Sequence, residues 1–301
     1  MTGQLCVFGE VLFDHFPDGR RVLGGAPFNV AWHLHAFGQT PYFISCVGDD
    51  PEGEAVRAAM RDWGMDTGGL QTDARHPTGR VSIHIVDGEP HYDIVEPCAY
   101  DAIEPTPGGP PDCRGFYHGS LALRDEISRR TVEGLIACKP EWVFVDVNLR
   151  PPWWQREQVL DIVRHAHWVK LNADELRLLS SSTEGGDSHA AAFLIDHELE
   201  GLILTRGSEG AVVVTAAGER HEVRTQTDIE VVDTVGAGDA FASVMILGLA
   251  SDWPLDITLR RSQDFASCLV GQRGATVSDP AFYRRFVDDW QLEEKRPTHD
   301  V

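Results

Sequence analysis

The sequence predicts an α/β fold in three layers, a mostly parallel central sheet with helices over both faces. Apolar runs alternate with amphipathic stretches of roughly 10–15 residues, the spacing of β-α-β units. The runs are apolar throughout rather than at every second residue, as strands buried on both faces are. A length of 301 residues suits one large α/β domain or two smaller ones. In chain order, LCVFGEV (5–11) is the first strand and PFNVAWHLHAFG (27–38) the first helical stretch. PYFISCVG (41–48) and PEGEAVRAAMRDWG (51–64) repeat the pair. GFYHGSLAL (115–123) precedes EISRRTVEGLIACK (126–139), and WVFVDVNL (142–149) precedes QREQVLDIVRHA (155–166). HWVKLN (167–172) leads into ADELRLLS (173–180), and GLILTRG (201–207) is the last clear strand. AFASVMILGL (240–249) is apolar all round and reads as a buried helix.

Two segments interrupt the alternation. Val11 to Leu23 carries Pro-Asp-Gly turn chemistry, and Thr78 to Val95 reads as an antiparallel hairpin on the Asp87-Gly88 turn. Glu104 to Asp112 (EPTPGGPPD) is a loop returning to the main sheet, and the final KRPTHDV reads as a frayed tail.

Composition removes several functions. The net charge is -21, whereas nucleic-acid phosphates call for clustered Lys and Arg. The three lysines (Lys139, Lys170, Lys295) never follow a glycine, so a G-x-x-x-x-G-K-[ST] loop is impossible. H-R-D and G-x-G-x-x-G are absent, which excludes a protein kinase and removes the main reason to propose a dinucleotide-binding Rossmann domain. MTGQLCVFGE has no basic n-region, and no apolar run reaches membrane-spanning length, so a soluble, cytoplasmic protein without a membrane partner is expected. The cysteines (Cys6, Cys46, Cys98, Cys113, Cys138, Cys268) stand singly, without C-x-x-C or metal-ligand spacing, and read as reduced thiols.

Asp233-Thr-Val-Gly-Ala-Gly-Asp239-Ala-Phe241 places a carboxylate just inside a glycine-rich turn that opens the apolar helix. Gly236, Ala237 and Gly238 would present backbone N–H groups at its positive end, where phosphate charge is stabilised. Asp239 stands where it can take the proton of an attacking hydroxyl. The same residues would also fit an ordinary capped helix with a solvent-facing Asp.

This stretch resembles the C-terminal signature of the ribokinase-like carbohydrate kinases, the phosphofructokinase-B family. Gly9-Glu-Val-Leu-Phe-Asp14 is similar to the first-strand motif of its fructokinase branch, and Gly24-Gly-Ala-Pro-Phe-Asn29 to the N-terminal signature. Asp146-Val-Asn-Leu-Arg150-Pro-Pro-Trp-Trp154, Asn172-Ala-Asp-Glu175 and Thr205-Arg-Gly207-Ser-Glu-Gly210 also have counterparts there, in the same order. The resemblance implies one ribokinase-like kinase domain over 1–301. A small β-sheet lid would come from segments about 11–23 and 78–103, hinged near Gly24-Gly25 and near Ala99 to Ile103. It further implies ATP and Mg²⁺ as cofactors and a sugar as acceptor. Lids pair between subunits in several relatives, which makes a homodimer plausible here without fixing it.

By the same resemblance, Asp14, Gly25 and Asn29 hold sugar hydroxyls, for which a carboxylate and an amide supply fixed acceptors and a donor. A strand-end Asp and a helix-capping Asn are the plainer readings. Gly9 and Glu10 read as structural, while His84, Tyr92 and Ile94 on the hairpin are candidates to cover the sugar. Asn172 and Glu175 resemble an N-x-x-E element in which the carboxylate organises Mg²⁺ through its waters, or they form a capping box. Arg150 and, more weakly, Lys170 could neutralise phosphate charge, or be surface cations. Nucleotide contacts fall on Thr205, Gly207, Gly210, Gly238 and a helix carrying Gly271-Gln-Arg-Gly274-Ala275. Asp233 matches a region that holds potassium in several relatives, or is a structural Asp ending a strand.

GEVLFD, GSLAL and DVNLRPPWW favour the fructokinase branch, hence fructose or a related ketohexose. The chain departs from that branch at Glu96-Pro-Cys-Ala-Tyr100-Asp101, where an arginine-bearing segment ending in Ala-Asp is expected. Kinases of another sugar acid or furanoside, such as 2-keto-3-deoxygluconate, are the alternative, as is a non-catalytic sugar sensor. The intact Asp239 and Gly-Ala-Gly speak against the sensor.

Overall fold

The computed structural model describes residues 3–86, 89–106, 111–180, 187–225 and 230–292. Its strands are β1 (Gln4–Phe8), β2 (Leu12–His15), β3 (Arg21–Gly24), β4 (Tyr42–Gly48), β5 (Leu70–Asp73), β6 (Gly79–Val86) and β7 (Glu89–Ile94), then β8 (Cys113–His118), β9 (Trp142–Asp146), β10 (Trp168–Asn172), β11 (Gly201–Thr205), β12 (Ala211–Thr215) and β13 (Arg220–Val223). The helices are α1 (Ala26–Ala36), α2 (Pro51–Trp63), α3 (Glu126–Ala137), α4 (Arg156–Val163), α5 (Ala173–Leu179), α6 (Asp187–Asp196), α7 (Ala237–Ala250), α8 (Leu255–Leu269) and α9 (Pro280–Trp290).

One sheet runs in the order β13-β12-β11-β10-β9-β8-β1-β4-β5. From β5 to β11 every pairing is parallel, and β12 and β13 extend the far edge antiparallel. Side chains alternate between the faces, so each strand feeds two cores. Phe116 and Val143 pack with Val132 of α3, Val159 of α4, Leu176 of α5 and Phe193 of α6. Tyr117 and Phe144 pack on the other face with Phe28 of α1, Val56 of α2, Val244 of α7, Phe265 of α8 and Tyr283 of α9. These are the three layers the alternation predicts. From Ala240 to Gly248 every residue of α7 is buried, which explains its lack of a polar face.

A second sheet has the order β3-β2-β6-β7. β6 and β7 form the expected antiparallel hairpin, and β2 joins it through a parallel pairing with β6. The Asp87-Gly88 turn, the centre of the 104–112 loop and the KRPTHDV tail lie outside the described residues.

The reading of all cysteines as reduced is corrected at one pair. Cys6 and Cys113 are joined in a disulfide, while Cys46, Cys98, Cys138 and Cys268 are free. Their strands β1 and β8 are parallel neighbours and the Cα atoms lie 5.8 Å apart, within disulfide reach. Sequence separation carries no trace of that adjacency.

From β1 the chain passes through β2, β3 and α1 to β4 on one side, and later returns to β8 on the other. The order therefore reverses at β1, and ligands of open α/β sheets bind in the crevice beyond the carboxyl ends at such a point.

Candidate active site

The carboxyl ends of β1, β9, β10 and β11 deliver Gly9-Glu10, Asp146, Asn172 and Thr205 to one rim of the sheet. Across the crevice Asn29, in the first turns of α1, donates from Nδ2 to Asp239 Oδ2 at 2.7 Å. Asn29 is therefore no helix cap, and its buried Oδ1 has no partner among the described residues. Asp14, on β2, comes to the same place. A Cβ built on Gly24 would lie 4.0 Å from both Asp14 Oδ2 and Asn29 Oδ1, so Gly24 faces the gap between them.

Gly25 has a different reason to be glycine. Its φ is +111°, and a Cβ there would stand 2.6 Å from the carbonyl oxygen of Glu10. Contact with the β1–β2 connection by itself demands glycine here.

At the start of α7, Gly236 has φ +78° and a Cβ on it would collide with Ala275. Ala237 N–H is partly used, donating to Thr234 O at 3.3 Å. Gly238 and Asp239 have backbone N–H groups without an acceptor among the described residues. Gly236 N–H is likewise without one, so Gly236 and Gly238 of the expected set keep free amides and Asp239 adds a third, at a helix end that favours an anion.

Burial pushes the Asp239 carboxyl up to about 6; the Asn29 hydrogen bond opposes this, Asp146 adds to it, and Lys170 and Arg150 pull down. Burial likewise lifts Asp14 to about 6 and Glu10 to about 7, with Arg150 opposing both. Arg150, exposed after β9, therefore acts on all three carboxylates, whereas Lys170 is no surface cation. Its Nζ lies 2.7 and 2.9 Å from the Asp146 carboxylate, and both side chains are buried. Burial lowers its affinity for the proton, and the Asp146 charge more than restores it.

Asn172 and Glu175 form the capping box. Asn172 Oδ1 accepts from Glu175 N–H at 2.9 Å, and Glu175 Oε2 accepts from Asn172 N–H at 2.8 Å. Glu175 Oε1 also accepts from Leu149 N–H at 2.8 Å, tying the box to the Asp146–Arg150 segment. Among the described residues no cluster of three or more His, Cys, Asp or Glu could hold a metal.

The nucleotide candidates fall in two groups. Thr205, Gly207 and Gly210 surround the turn between β11 and β12, with φ +58° at Gly207 and +100° at Gly210. Gly274 lies near α7, where its N–H donates to Asp233 Oδ2 at 3.0 Å while Asp233 Oδ1 accepts from Val235 N–H at 3.0 Å. Gly271 to Ala275 is not helical, which corrects the expectation; α8 ends at Leu269 and the chain then bends through Gly274 at φ +85°. On the small sheet, Tyr92 and Ile94 share the face of Asp14, but His84 pairs with His91 on the opposite face and leaves the candidate set.

The places of Gly24 and Asp146 in the site, and the burial of Glu10, were not legible in the sequence, save for one signal: Lys170 sits inside the apolar run HWVKLN, where a charge needs a buried partner.

A family model described as pfkB family carbohydrate kinase matches residues 7–281. The chain is 34% identical over 271 residues to a fructokinase of Escherichia coli, covering 83% of this chain and 86% of that protein. It is 31% identical over 262 residues to an aminoimidazole riboside kinase of Salmonella typhimurium, covering 82% and 81%. The crystal structure of aminoimidazole riboside kinase from Salmonella enterica, complexed with aminoimidazole riboside and an ATP analog, matches with a TM-score of 0.80 at 27% identity, over 94% of this chain and 99% of that one.

Proposed function

Because the chain belongs to the pfkB family of carbohydrate kinases, we propose that it transfers the γ-phosphate of ATP to a hydroxyl of an unphosphorylated sugar, fructose or a related ketohexose. The observation that carries this reading is the Asn29–Asp239 hydrogen bond, with Asp14 across Gly24. A base, an amide and a second carboxylate are thereby gathered at the mouth of an anion-favouring helix end.

In this reading Asp14, Gly25 and Asn29 hold the sugar, and Asp239 accepts the proton of the attacking hydroxyl as its oxygen bonds to the γ-phosphorus and the bond to the ADP oxygen breaks. The turn Gly236-Ala237-Gly238, through the amides of Gly238 and Asp239, holds the transferred phosphate. Arg150 neutralises charge beside it. Thr205, Gly207, Gly210 and Gly274 border the nucleotide. The donor set fits magnesium held mainly by phosphate and water, with Asn172 and Glu175 supporting those waters. When bound, the ion neutralises phosphate charge. Potassium beside the Asp233 clasp and a homodimer through the small sheet belong to the same proposal. The small sheet acts as a lid within a single kinase unit.

Similarity to the aminoimidazole riboside kinase favours a furanoside as the second reading. ATP consumption with fructose, other ketohexoses, ribofuranosides and 2-keto-3-deoxygluconate separates the acceptors by kcat/KM. On the best acceptor, Asp239→Asn should lower turnover by about 10²–10⁴ with ATP affinity little changed. Near-normal turnover in that variant would show the base assignment to be wrong.

A further inference from the structure

Asp146 and Lys170 face each other across the parallel pair β9–β10, in the middle of the sheet. Two hydrogen bonds, 2.9 and 2.7 Å long, join them, and the side chains are only 2% and 8% exposed. Beyond Lys170 lies the start of α7. A Cβ on Gly238 would stand 3.4 Å from Lys170 Nζ, so the ammonium underlies the turn one residue before Asp239. Buried ion pairs are seldom better for stability than apolar groups of the same volume. Packing alone therefore gives little reason for charges at this place.

Resting on the reading of Asp239 as the base, we propose that the Asp146–Lys170 pair is a positioning device beneath the turn, in which each charge offsets the influence of the other on the Asp239 carboxylate. The Asp146 anion favours protonated Asp239, and the Lys170 ammonium favours the carboxylate that receives the hydroxyl proton. In the intact pair the two influences largely cancel; either one alone does not. Their opposite signs at Asp239 agree with its position near 6, where burial raises it, Asp146 adds and Lys170 subtracts. The other groups facing Asp239 are the Asn29 amide, the Arg150 guanidinium, the Glu10 carboxyl and the Tyr117 hydroxyl. Glu10 and Asp14 answer to Arg150, but Glu175 feels the same two charges with the same signs as Asp239, so the midpoint read at Asp239 itself identifies the carboxyl that responds.

The test is the pH profile of kcat/KM for the best sugar, which reports the free enzyme, in Lys170→Met, Asp146→Asn and the double variant. The acid limb should move up by on the order of one pH unit in Lys170→Met, down by a similar amount in Asp146→Asn, and return close to its original place in the double variant. The Asp239 carboxyl carbon, followed by NMR, reads the same midpoint without turnover. A purely structural role would not move the limb in opposite directions. Limbs that stay in place, or that move the same way in both single variants, overturn the proposal. Lys170→Met leaves a buried carboxylate unpaired, so melting is followed in parallel. If that variant does not fold, Asp146→Asn must still titrate below the double variant, and equal midpoints overturn the proposal. If Asp239→Asn retains turnover, the base assignment fails. If it loses turnover while the limbs stay fixed, only the role of the pair fails.

Discussion

Glu10 is 3% exposed just beyond β1, and its Oε2 has no hydrogen-bond partner among the described residues. Burial lifts its carboxyl from 4.5 to about 7. A carboxyl raised by folding holds its proton more tightly in the folded state. Its favourable contribution is therefore full below pH 4.5, declines as the pH rises towards 7, and above 7 ionised Glu10 is a net cost. Glu10→Gln should then match the wild type at pH 4 and exceed it at pH 8 by on the order of 1–3 kcal/mol, measured by urea unfolding. A difference between the two proteins that does not change with pH would remove this account. At this scale Asp239 and Asp14 were legible because each stands at a turn-marked end of an apolar segment. Glu10 was not, since its burial depends on α1 closing over the β1–β2 connection, which brings the Glu10 carbonyl against Gly25.

Neighbouring glycines at the entry to α1 do separable work, and substitution can tell them apart. Gly24 could take a methyl group at ordinary contact distance from Asp14 and Asn29, in the space the sugar would need, whereas one on Gly25 meets backbone at 2.6 Å with φ +111°. Gly24→Ala should keep its melting temperature and ATP affinity while KM for the sugar rises at least about tenfold, the effect of roughly 1.4 kcal/mol of lost binding. Gly25→Ala should lower the melting temperature itself. Equal losses of stability in both would mean that Gly24 does not face the sugar. Among the elements, the strands GLILT and WVFVD were plain from unbroken apolar runs. α8 was not, because its buried face carries Thr258, Ser262, Gln263 and Ser267. Thr258 and Ser262 are satisfied by carbonyls four residues back, Pro254 O and Thr258 O, so polar letters hide a buried face. β13 has an exposed-intermediate alternation and only four residues, too little for a periodic signal.

For the whole molecule, the layers follow from alternation alone, but the strand order does not, since parallel neighbours such as β1 and β8 meet across more than a hundred residues. The same non-local pairing decides how the small sheet is attached. On one side it passes through Gly24-Gly25 into α1. On the other, Arg124, just after β8, donates to both carboxylate oxygens of Asp101 at 2.7 and 2.8 Å and to Val95 O at 3.0 Å, fixing the segment that follows β7. The pair is buried, 4% and 6% exposed, so breaking it would leave a charge unpaired in the interior, which opposes the hinge expected near Ala99 to Ile103. Motion of the sheet is then left to the glycine side and to the hairpin far from Arg124. Transfer to a sugar competes with transfer to water, and closure over the bound sugar would exclude water. We therefore expect the best sugar acceptor to slow proteolytic cleavage of the β6–β7 hairpin several-fold, with nucleotide alone giving less protection, followed by mass spectrometry of the fragments. Cleavage at one rate with and without every sugar would mean that the sheet does not close, and residues 78–103 would then be better explained as a fixed contact between two copies of the chain.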